Sequence, residues 1–237
     1  MKKLLLALSL SIALFGCSSL ELEAVSTSAE ETERILAMGL SHEENLVEAS
    51  KLKSSHMVSV VSLQLTNARD EKIQAEVDLI EAEKFSNMVK VSGGNSKFFG
   101  PEVSESIKTG VLKTDIDLQN YYLEGTKDLS SGIIAHKLVL SITHNSKNER
   151  KYSSANLCDE WNRCDMNEQE INVISSNPSN CTTVGCDYKE VMELNLSDDF
   201  LRNAADKGFT FRINAKRKSN KIKVSKAYLI GYLTVVQ

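Results

Sequence analysis

An alternation of apolar and polar residues between Ile133 and His144 is the feature that most constrains the fold of this chain. Successive side chains of a β-strand point to opposite faces, so a period of two predicts a strand with one buried face. One face of the predicted strand carries Ile134, His136, Leu138, Leu140, Ile142 and His144, and the other carries Ala135, Lys137, Val139, Ser141 and Thr143. A strand of this length needs partners to be stable, so the pattern predicts a sheet around it.

Several other segments alternate in the same way or are rich in β-branched and aromatic residues. They predict strands at Val58–Leu65, Ile73–Ile80, Asn87–Val91, Tyr188–Leu196, Phe209–Ala215 and Ala227–Val236. Regular helical crossovers do not separate these segments, which argues against a doubly wound α/β fold. The sequence therefore predicts a mainly β fold with minor α, in which residues 57–237 form an antiparallel β-sandwich-like domain.

Two Ser-x-x-Glu capping boxes precede this domain and indicate two short helices. The boxes begin at Ser28 and Ser41 and predict helices near residues 29–38 and 42–53, with Gly39 ending the first. Residues 29–56 are therefore expected to form a helical leader.

One further helix is predicted within the β-rich domain, over residues 197–208. Ser197 can cap its N-terminus, Asp198 and Asp199 lie in the first turn, where the helix dipole favours them, and Gly208 follows its end.

The N-terminus has the charge and hydropathy pattern of an export signal. Lys2 and Lys3 precede the apolar or small residues 4–15, a stretch too short for a membrane-spanning helix, which needs about 20 residues. At the end of this stretch the chain has, in order, an aliphatic residue, a variable one, a small one and a cysteine, which are Leu14, Phe15, Gly16 and Cys17. In these residues the chain resembles the bacterial lipoproteins, although Phe15 is bulkier than the usual occupant of the lipobox.

The resemblance implies a lipid-anchored protein. Lipoproteins of this class are cut before the cysteine and acylated on its thiol, which implies a signal peptide over residues 1–16, palmitate-type lipidation of Cys17 and a tether over residues 17–28. Each buried methylene contributes about 0.8 kcal/mol, so two or three acyl chains anchor a protein nearly irreversibly. Because Ser18 rather than Asp follows the cysteine, the resemblance implies an outer-membrane location facing the periplasm. The alternative is an ordinary secretory signal with an incidental Cys17.

Four further cysteines lie close together, at Cys158, Cys164, Cys181 and Cys186. In an oxidising compartment this even number predicts two disulfides. The local pairing, Cys158–Cys164 with Cys181–Cys186, is favoured and contributes about 2 kcal/mol for each small ring. A nested pairing is the alternative. A zinc site is disfavoured, because the intervening five and four residues exceed the usual spacing of two.

Composition and motifs argue against several classes of function. Without residues 1–16 the chain carries 26 Lys and Arg against 32 acids, a net charge of −6, which argues against a nucleic-acid partner. Neither a nucleophile elbow nor a phosphate-binding glycine loop occurs, and His42-Glu43-Glu44 lacks the second histidine of a zinc protease. His136 and His144 lie about 26 Å apart along an extended strand, too far to share a metal. No catalytic residue, metal site or cofactor is predicted.

The densest cationic run consists of Lys216, Arg217, Lys218, Lys221 and Lys223. Ser219-Asn220 within it predicts a turn between two strands. Such a hairpin tip is a candidate contact with anionic lipid headgroups, at about 1 kcal/mol for each well-placed cation. The favoured interpretation is plainer: a solvated hairpin whose lysines deter pairing between sheet edges.

Trp161 is the single tryptophan and lies inside the ring that a Cys158–Cys164 disulfide would close. A rigid, exposed aromatic residue flanked by charges is typical of an interface anchor, so Trp161 and the loops between residues 158 and 186 are the candidate partner contact. A Trp161 folded back onto the sheet is the alternative.

These features lead to one function hypothesis and two alternatives. We expect a membrane-anchored periplasmic lipoprotein that is not an enzyme and acts as a binding or structural module on another envelope or secreted protein. The first alternative is an envelope hydrolase acting on peptidoglycan or lipid, which needs a nucleophile and base, or paired carboxylates, in one cleft. The second is a carrier of lipid or another small ligand, which needs a large apolar cavity.

Overall fold

The structure is a computed structural model that describes residues 27–109, 115–216 and 218–236. The proposed signal peptide, lipobox and Cys17 lie outside the described residues, as do most of the tether and Arg217. The helices are α1 (27–36), α2 (His42–Ser50), α3 (Ser55–Met88), α4 (Asp198–Ala204) and α5 (Lys226–Val235). The strands are β1 (Lys90–Ser92), β2 (Lys97–Phe99), β3 (Val103–Thr109), β4 (Asp115–Lys127), β5 (Ile134–Ser146), β6 (Tyr152–Cys158), β7 (Gln169–Glu170), β8 (Asn172–Ser179), β9 (Cys186–Leu196), β10 (Phe209–Ala215) and β11 (Ser219–Val224).

The chain divides into two compact units, residues 1–77 and 78–237. In its described part, the first unit is helical and has its own small core, formed by Ile35, Ala49, Val61 and Leu65. The predicted capping box at Ser41 is confirmed, since Ser41 accepts a hydrogen bond from the backbone of Glu44 and donates its own backbone N–H to the Glu44 side chain. Ser28 does not cap α1, because residue 27 is already helical and Ser28 is buried inside the helix.

The second unit contains two antiparallel sheets. The seven-stranded sheet has the order β1-β2-β4-β5-β9-β8, with β3 also paired to β4, and the four-stranded sheet has the order β11-β10-β6-β7. One hydrophobic cluster draws side chains from both sheets and from α4 and α5. The predicted mainly β, sandwich-like class is therefore confirmed.

The strand predicted from Ile133 to His144 is confirmed as β5, which pairs with β4 and β9. His136, Leu138, Leu140, Ile142 and His144 of one face are buried and Ile134 is half-buried. Val139 and Ser141 of the opposite face are buried as well, so the middle of β5 is covered on both sides. The helix predicted over residues 197–208 is confirmed as α4, with Ser197 accepting a hydrogen bond from the backbone of Phe200. Gly208 follows it with a φ of 78°, in the left-handed region that favours glycine.

The strands predicted at Val58–Leu65 and Ile73–Ile80 are wrong, because both segments lie in α3. Ile73, Val77 and Ile80 are spaced three and four residues apart and fit a helix as well as a strand. The residues between them are mainly good helix formers, and no glycine or proline occurs between Gly39 and Gly93. The β-rich region therefore begins at Lys90 rather than at residue 57.

The strand predicted at Ala227–Val236 is also wrong. Its residues form α5, which begins at the N-cap Ser225, whose side chain accepts a hydrogen bond from the backbone of Tyr228. Ala227, Tyr228, Leu229, Gly231 and Tyr232 are buried. A helix buried on most sides is apolar on most sides, so its sequence shows no clear helical period.

None of the helices in the described ranges has both the length and the apolar character that crossing a membrane requires.

Candidate functional site

Two disulfides close short loops in the second unit. Cys158 is bonded to Cys164, and Cys181 to Cys186. This is the local pairing that the sequence favoured over the nested one and over a zinc site. Each disulfide stands beside a long strand, since Cys158 ends β6 and Cys186 begins β9.

The loop closed by Cys158 and Cys164, called here the tryptophan loop (residues 158–164), is held by contacts besides its disulfide. The backbone N–H of Asp159 donates to the carbonyl of Arg163 at 2.8 Å, and the Arg163 backbone and Nε donate to the Asp159 carboxylate at 2.8 and 2.7 Å. Asn162 takes the turn with a φ of 61°, a conformation that asparagine tolerates better than most residues. Lys221 of β11 donates from Nζ to Oδ1 of Asn162 at 2.8 Å, so the loop is also tied to the four-stranded sheet.

Trp161 stands on this loop with 78% of its surface exposed. It lines a cleft of about 870 Å³. The other lining residues come from the tryptophan loop and Asp165, from α4 and the connection after it, and from β6, β10 and β11. The structure therefore places Trp161 at the opening of a cleft, and the alternative of a tryptophan folded back onto the sheet is wrong.

The α4 side of the cleft is positioned by aromatic packing. The ring of Phe200 lies 5.2 Å from that of Phe209 and 6.0 Å from that of Phe211, centroid to centroid. Phe209 and Phe211 point into the core from β10, so α4 is fixed against the sheet by the same rings that fill the core. Phe200 and Phe209 also line the cleft, together with Ala204 and Leu157.

The charges around this cleft are balanced. Asp159, Glu160 and Asp165 contribute three carboxylates, and Arg163, Lys207 and Lys223 contribute three cations. Desolvation raises the pKa of Asp159, but the hydrogen bonds from Arg163 outweigh it and hold that pKa below its usual value. An apolar patch with both signs of charge at its rim suits a polypeptide segment better than a small ion.

The cationic run is divided between two places. Lys221 and Lys223 point outward from β11, near the tryptophan loop, and Lys223 lines its cleft. Lys216 and Lys218 stand at the hairpin turn and line a second cleft. The predicted turn at Ser219-Asn220 is wrong: both residues belong to β11, and the backbone of Ala215 closes the turn by donating to the carbonyl of Lys218 at 2.8 Å.

His136 and His144 each have a separate acidic partner, as their separation along β5 requires. Nε2 of His136 lies 3.1 Å from Oδ1 of Asp198, and its Nδ1 lies 3.1 Å from the hydroxyl of Tyr232. Its side chain is 0% exposed. Burial lowers the pKa of His136, and the bond to Asp198 opposes that shift only in part.

The second histidine forms a serine–histidine–glutamate series that resembles a catalytic arrangement. Nδ1 of His144 lies 3.1 Å from Oγ of Ser146, and its Nε2 lies 2.9 Å from Oε1 of Glu190. The Ser146 hydroxyl donates to the carbonyl of Asn148, so its hydrogen is engaged away from the imidazole. The His144 side chain is 0% exposed and its ring stacks on Tyr188. This pattern is that of a structural anchor, since a catalytic serine must give its proton to the base.

A buried ion pair lies beside this series. Arg150 donates two hydrogen bonds to the Asp117 carboxylate, at 2.5 and 2.8 Å, and a third to the hydroxyl of Tyr152 at 3.0 Å. Nδ2 of Asn220 donates to Asp117 at 3.0 Å. Burial alone would raise the pKa of Asp117, but these hydrogen bonds and the Arg150 charge hold it below its usual value.

The sequence identified Trp161 and the cysteines but missed both acid partners of the histidines and the Asp117–Arg150 pair. These residues are far apart in the sequence, and only the pairing of β5 with β9 brings Glu190 beside His144. Within the described ranges, no group of three or more His, Cys, Asp or Glu side chains is placed to hold a metal ion.

Comparisons with protein-family models, with curated proteins and with solved structures found no match to this chain.

Proposed function

We propose that this protein is a lipid-anchored protein of the bacterial cell envelope that works by contact, as a binding module rather than an enzyme. The observation that carries the proposal is the exposed Trp161, held on a disulfide-closed loop beside a cleft of about 870 Å³. Large aromatic side chains on rigid supports supply much of the energy of protein–protein contacts, because little side-chain entropy is lost when they bind.

The partner that suits the cleft is a polypeptide segment of another envelope or secreted protein. The half-buried Phe200 and Leu157 offer apolar surface for a side chain of such a segment, and the buried Phe209 lies behind them. The balanced charges at the rim then fix its register, because exposed ion pairs add selectivity more than affinity.

A hydrolase is less well supported. Both buried histidines are 0% exposed, and the Ser146 hydroxyl is engaged by a backbone carbonyl. A lipid carrier is also less well supported, since the inner faces of the two sheets share a core filled by large side chains such as Tyr152, Phe211 and Tyr228.

The contact surface is tested by site-specific photo-crosslinking of the full chain in its own cells. A photo-crosslinking residue replaces Asn203, an exposed residue of α4 that lines the cleft, and in a control it replaces Val184, which is 72% exposed outside the cleft. We expect a discrete protein adduct from position 203 and none from position 184. The adduct should be lost with Trp161→Ala and retained with Met166→Ala, a residue 97% exposed outside the cleft. If the adduct from position 203 formed equally well with Trp161→Ala, the tryptophan loop would not be part of the contact surface.

The anchor is tested separately on protein purified from membranes. Mass spectrometry of the N-terminal peptide should find Cys17 acylated and first in the mature chain, and Cys17→Ala should release the protein from the membrane fraction. An unmodified Cys17 inside an uncut chain would refute the anchor while leaving the cleft untested by that measurement.

A further inference from the structure

A second cleft, of about 460 Å³, lies between two connections that are far apart in the sequence. The β5–β6 connection contributes Ser146, Asn148, Glu149, Arg150 and Lys151, and the β10–β11 hairpin contributes Ala215, Lys216 and Lys218. We refer to it as the cationic cleft.

The charge of this cleft is strongly one-sided. Lys151, Lys216 and Lys218 face a single carboxylate, Glu149, because the charge of Arg150 is paired with the buried Asp117, although the whole chain carries a formal net charge of −4. The cleft beside Trp161, by contrast, has three charges of each sign. A concentration of cations against the sign of the whole protein attracts an anion to this one place.

Two buried carboxylates, those of Glu190 and Asp117, hold the β5–β6 side of the cleft in place. The backbone N–H groups of Arg150 and Lys151 donate to the two oxygens of the buried Glu190 carboxylate, at 2.8 and 3.1 Å. The Arg150 side chain is locked on Asp117, so its charge is already compensated. These contacts fix the backbone that presents Lys151, whose side chain is 75% exposed and paired with the carboxylate of Glu149.

Three ammonium groups are therefore available to a ligand. Nζ of Lys151 forms an ion pair with Oε1 of Glu149 at 3.1 Å, an exposed pair that a ligand can replace. Lys216 and Lys218 have no ion-pair partner among the described residues. Lysines are compact point charges that bind phosphate oxygens without requiring a planar arrangement. We propose that the cationic cleft binds a phosphate group, either that of an anionic lipid headgroup or a free phosphate.

The test uses the full chain in non-ionic detergent and two probes that separate the sources. Inorganic phosphate reports on the free anion. Dihexanoylphosphatidylglycerol, measured against dihexanoylphosphatidylcholine, reports on an anionic headgroup. Isothermal titration calorimetry at low salt gives the affinity for each probe, and added salt should weaken binding because these lysines are exposed.

The cationic run supplies a matched control. The pair Lys216→Gln with Lys218→Gln lines the cationic cleft, whereas the pair Lys221→Gln with Lys223→Gln lies outside it and changes the net charge by the same amount. We expect the first pair to weaken binding by about fivefold for each lysine and the second pair to leave it nearly unchanged. Equal losses from both pairs would indicate general attraction to a basic surface and would overturn the site.

A variant that is expected to bind more tightly separates a true effect on the site from a loss of binding caused by misfolding. Glu149→Gln removes the single carboxylate of the cleft and frees Lys151, so phosphate binding should tighten by about threefold or more. Binding of inorganic phosphate that responds to these variants supports a free-phosphate site, and binding of phosphatidylglycerol alone supports a headgroup site. No binding of either probe, or no tightening with Glu149→Gln, refutes the proposal.

Discussion

The hydroxyl of Tyr232 lies 3.1 Å from Nδ1 of His136, and this contact joins α5 to the middle of the larger sheet. On the other side of the ring, Nε2 donates to Asp198 of α4. A neutral imidazole satisfies both contacts, because Nδ1 then accepts from the tyrosine while Nε2 keeps its hydrogen. The buried His136 therefore links two helices to one strand in its uncharged form.

We expect this arrangement to make the fold less stable as the pH falls below about 6.5. The pKa of His136 is lower in the folded chain than its ordinary value of about 6.5, so the unfolded chain binds a proton that the folded chain refuses. The free energy of unfolding should then decrease by up to about 1.4 kcal/mol per pH unit, until the folded pKa is passed. Urea unfolding at a series of pH values measures this slope.

The variant that tests this slope is His136→Gln, which should flatten it between pH 7 and 5 because it removes the buried imidazole. An unchanged slope in His136→Gln would assign the pH dependence to other groups.

Breaking the buried pair of Asp117 and Arg150 should cost much more than breaking an exposed one. Asp117→Asn leaves the Arg150 charge buried without its partner, which costs about 3–5 kcal/mol of unfolding free energy. Asp159→Asn breaks the exposed pair with Arg163 and should leave the unfolding midpoint nearly unchanged. Similar midpoints for the two variants, measured by chemical denaturation, would contradict the burial of the first pair.

Gln119→Leu should stabilise the protein. The Gln119 side chain is buried on β4, and neither its Nε2 nor its Oε1 has a hydrogen-bond partner within the described residues. Replacing an unpaired buried amide by a similar apolar group should raise the unfolding free energy by about 1 kcal/mol. Asn220→Leu is the contrast, because Asn220 is hydrogen-bonded to Asp117 and Tyr152 and its loss should destabilise. A lower melting temperature for Gln119→Leu would mean that the amide is paired.

Gly231→Ala should destabilise the packing of α5 against α3, although alanine is the better helix former by about 1 kcal/mol. A Cβ at position 231 would lie 2.5 Å from the carbonyl oxygen of Ala82 and 2.7 Å from Cβ of Phe85. Both neighbours are held by their own helix, so the two helices must separate, at a net cost of about 1–3 kcal/mol. Thermal unfolding measures the change, and a stabilised variant would show that the helices have room.

Removing either disulfide should cost similar stability, but only one removal should change Trp161. Each loop is short, so each disulfide contributes about 2 kcal/mol through the unfolded chain. Cys158→Ser with Cys164→Ser should in addition lower the fluorescence anisotropy of Trp161, since its loop loses a covalent closure. Cys181→Ser with Cys186→Ser should leave that anisotropy unchanged, and because Trp161 is the single tryptophan, the signal is unambiguous.

The sequence predicted correctly those helices and strands whose caps or alternating faces are formed by residues close together in the chain. The strand β5, the capping box at Ser41 and the helix α4 between Ser197 and Gly208 are confirmed, because each is specified by residues a few positions apart. The wrongly predicted strands fall on α3 and α5. In α3 the apolar residues fit the spacing of a helix as well as that of a strand. In α5 burial on most sides removes the polar face that distinguishes a helix from a strand.

The sequence by itself determined the mainly β class and the long central strand. It favoured the local disulfide pairing over the nested one, and it left open whether Trp161 is exposed or folded back onto the sheet. Only the tertiary structure decided which residues meet: Glu190 with His144, Asp198 with His136, Asp117 with Arg150, and Lys151 with Lys216 and Lys218 around one cleft. The physical reason is that periodicity and capping report on neighbours a few residues apart, whereas these contacts depend on strand register. Register is set by how both sheets bury their apolar faces together.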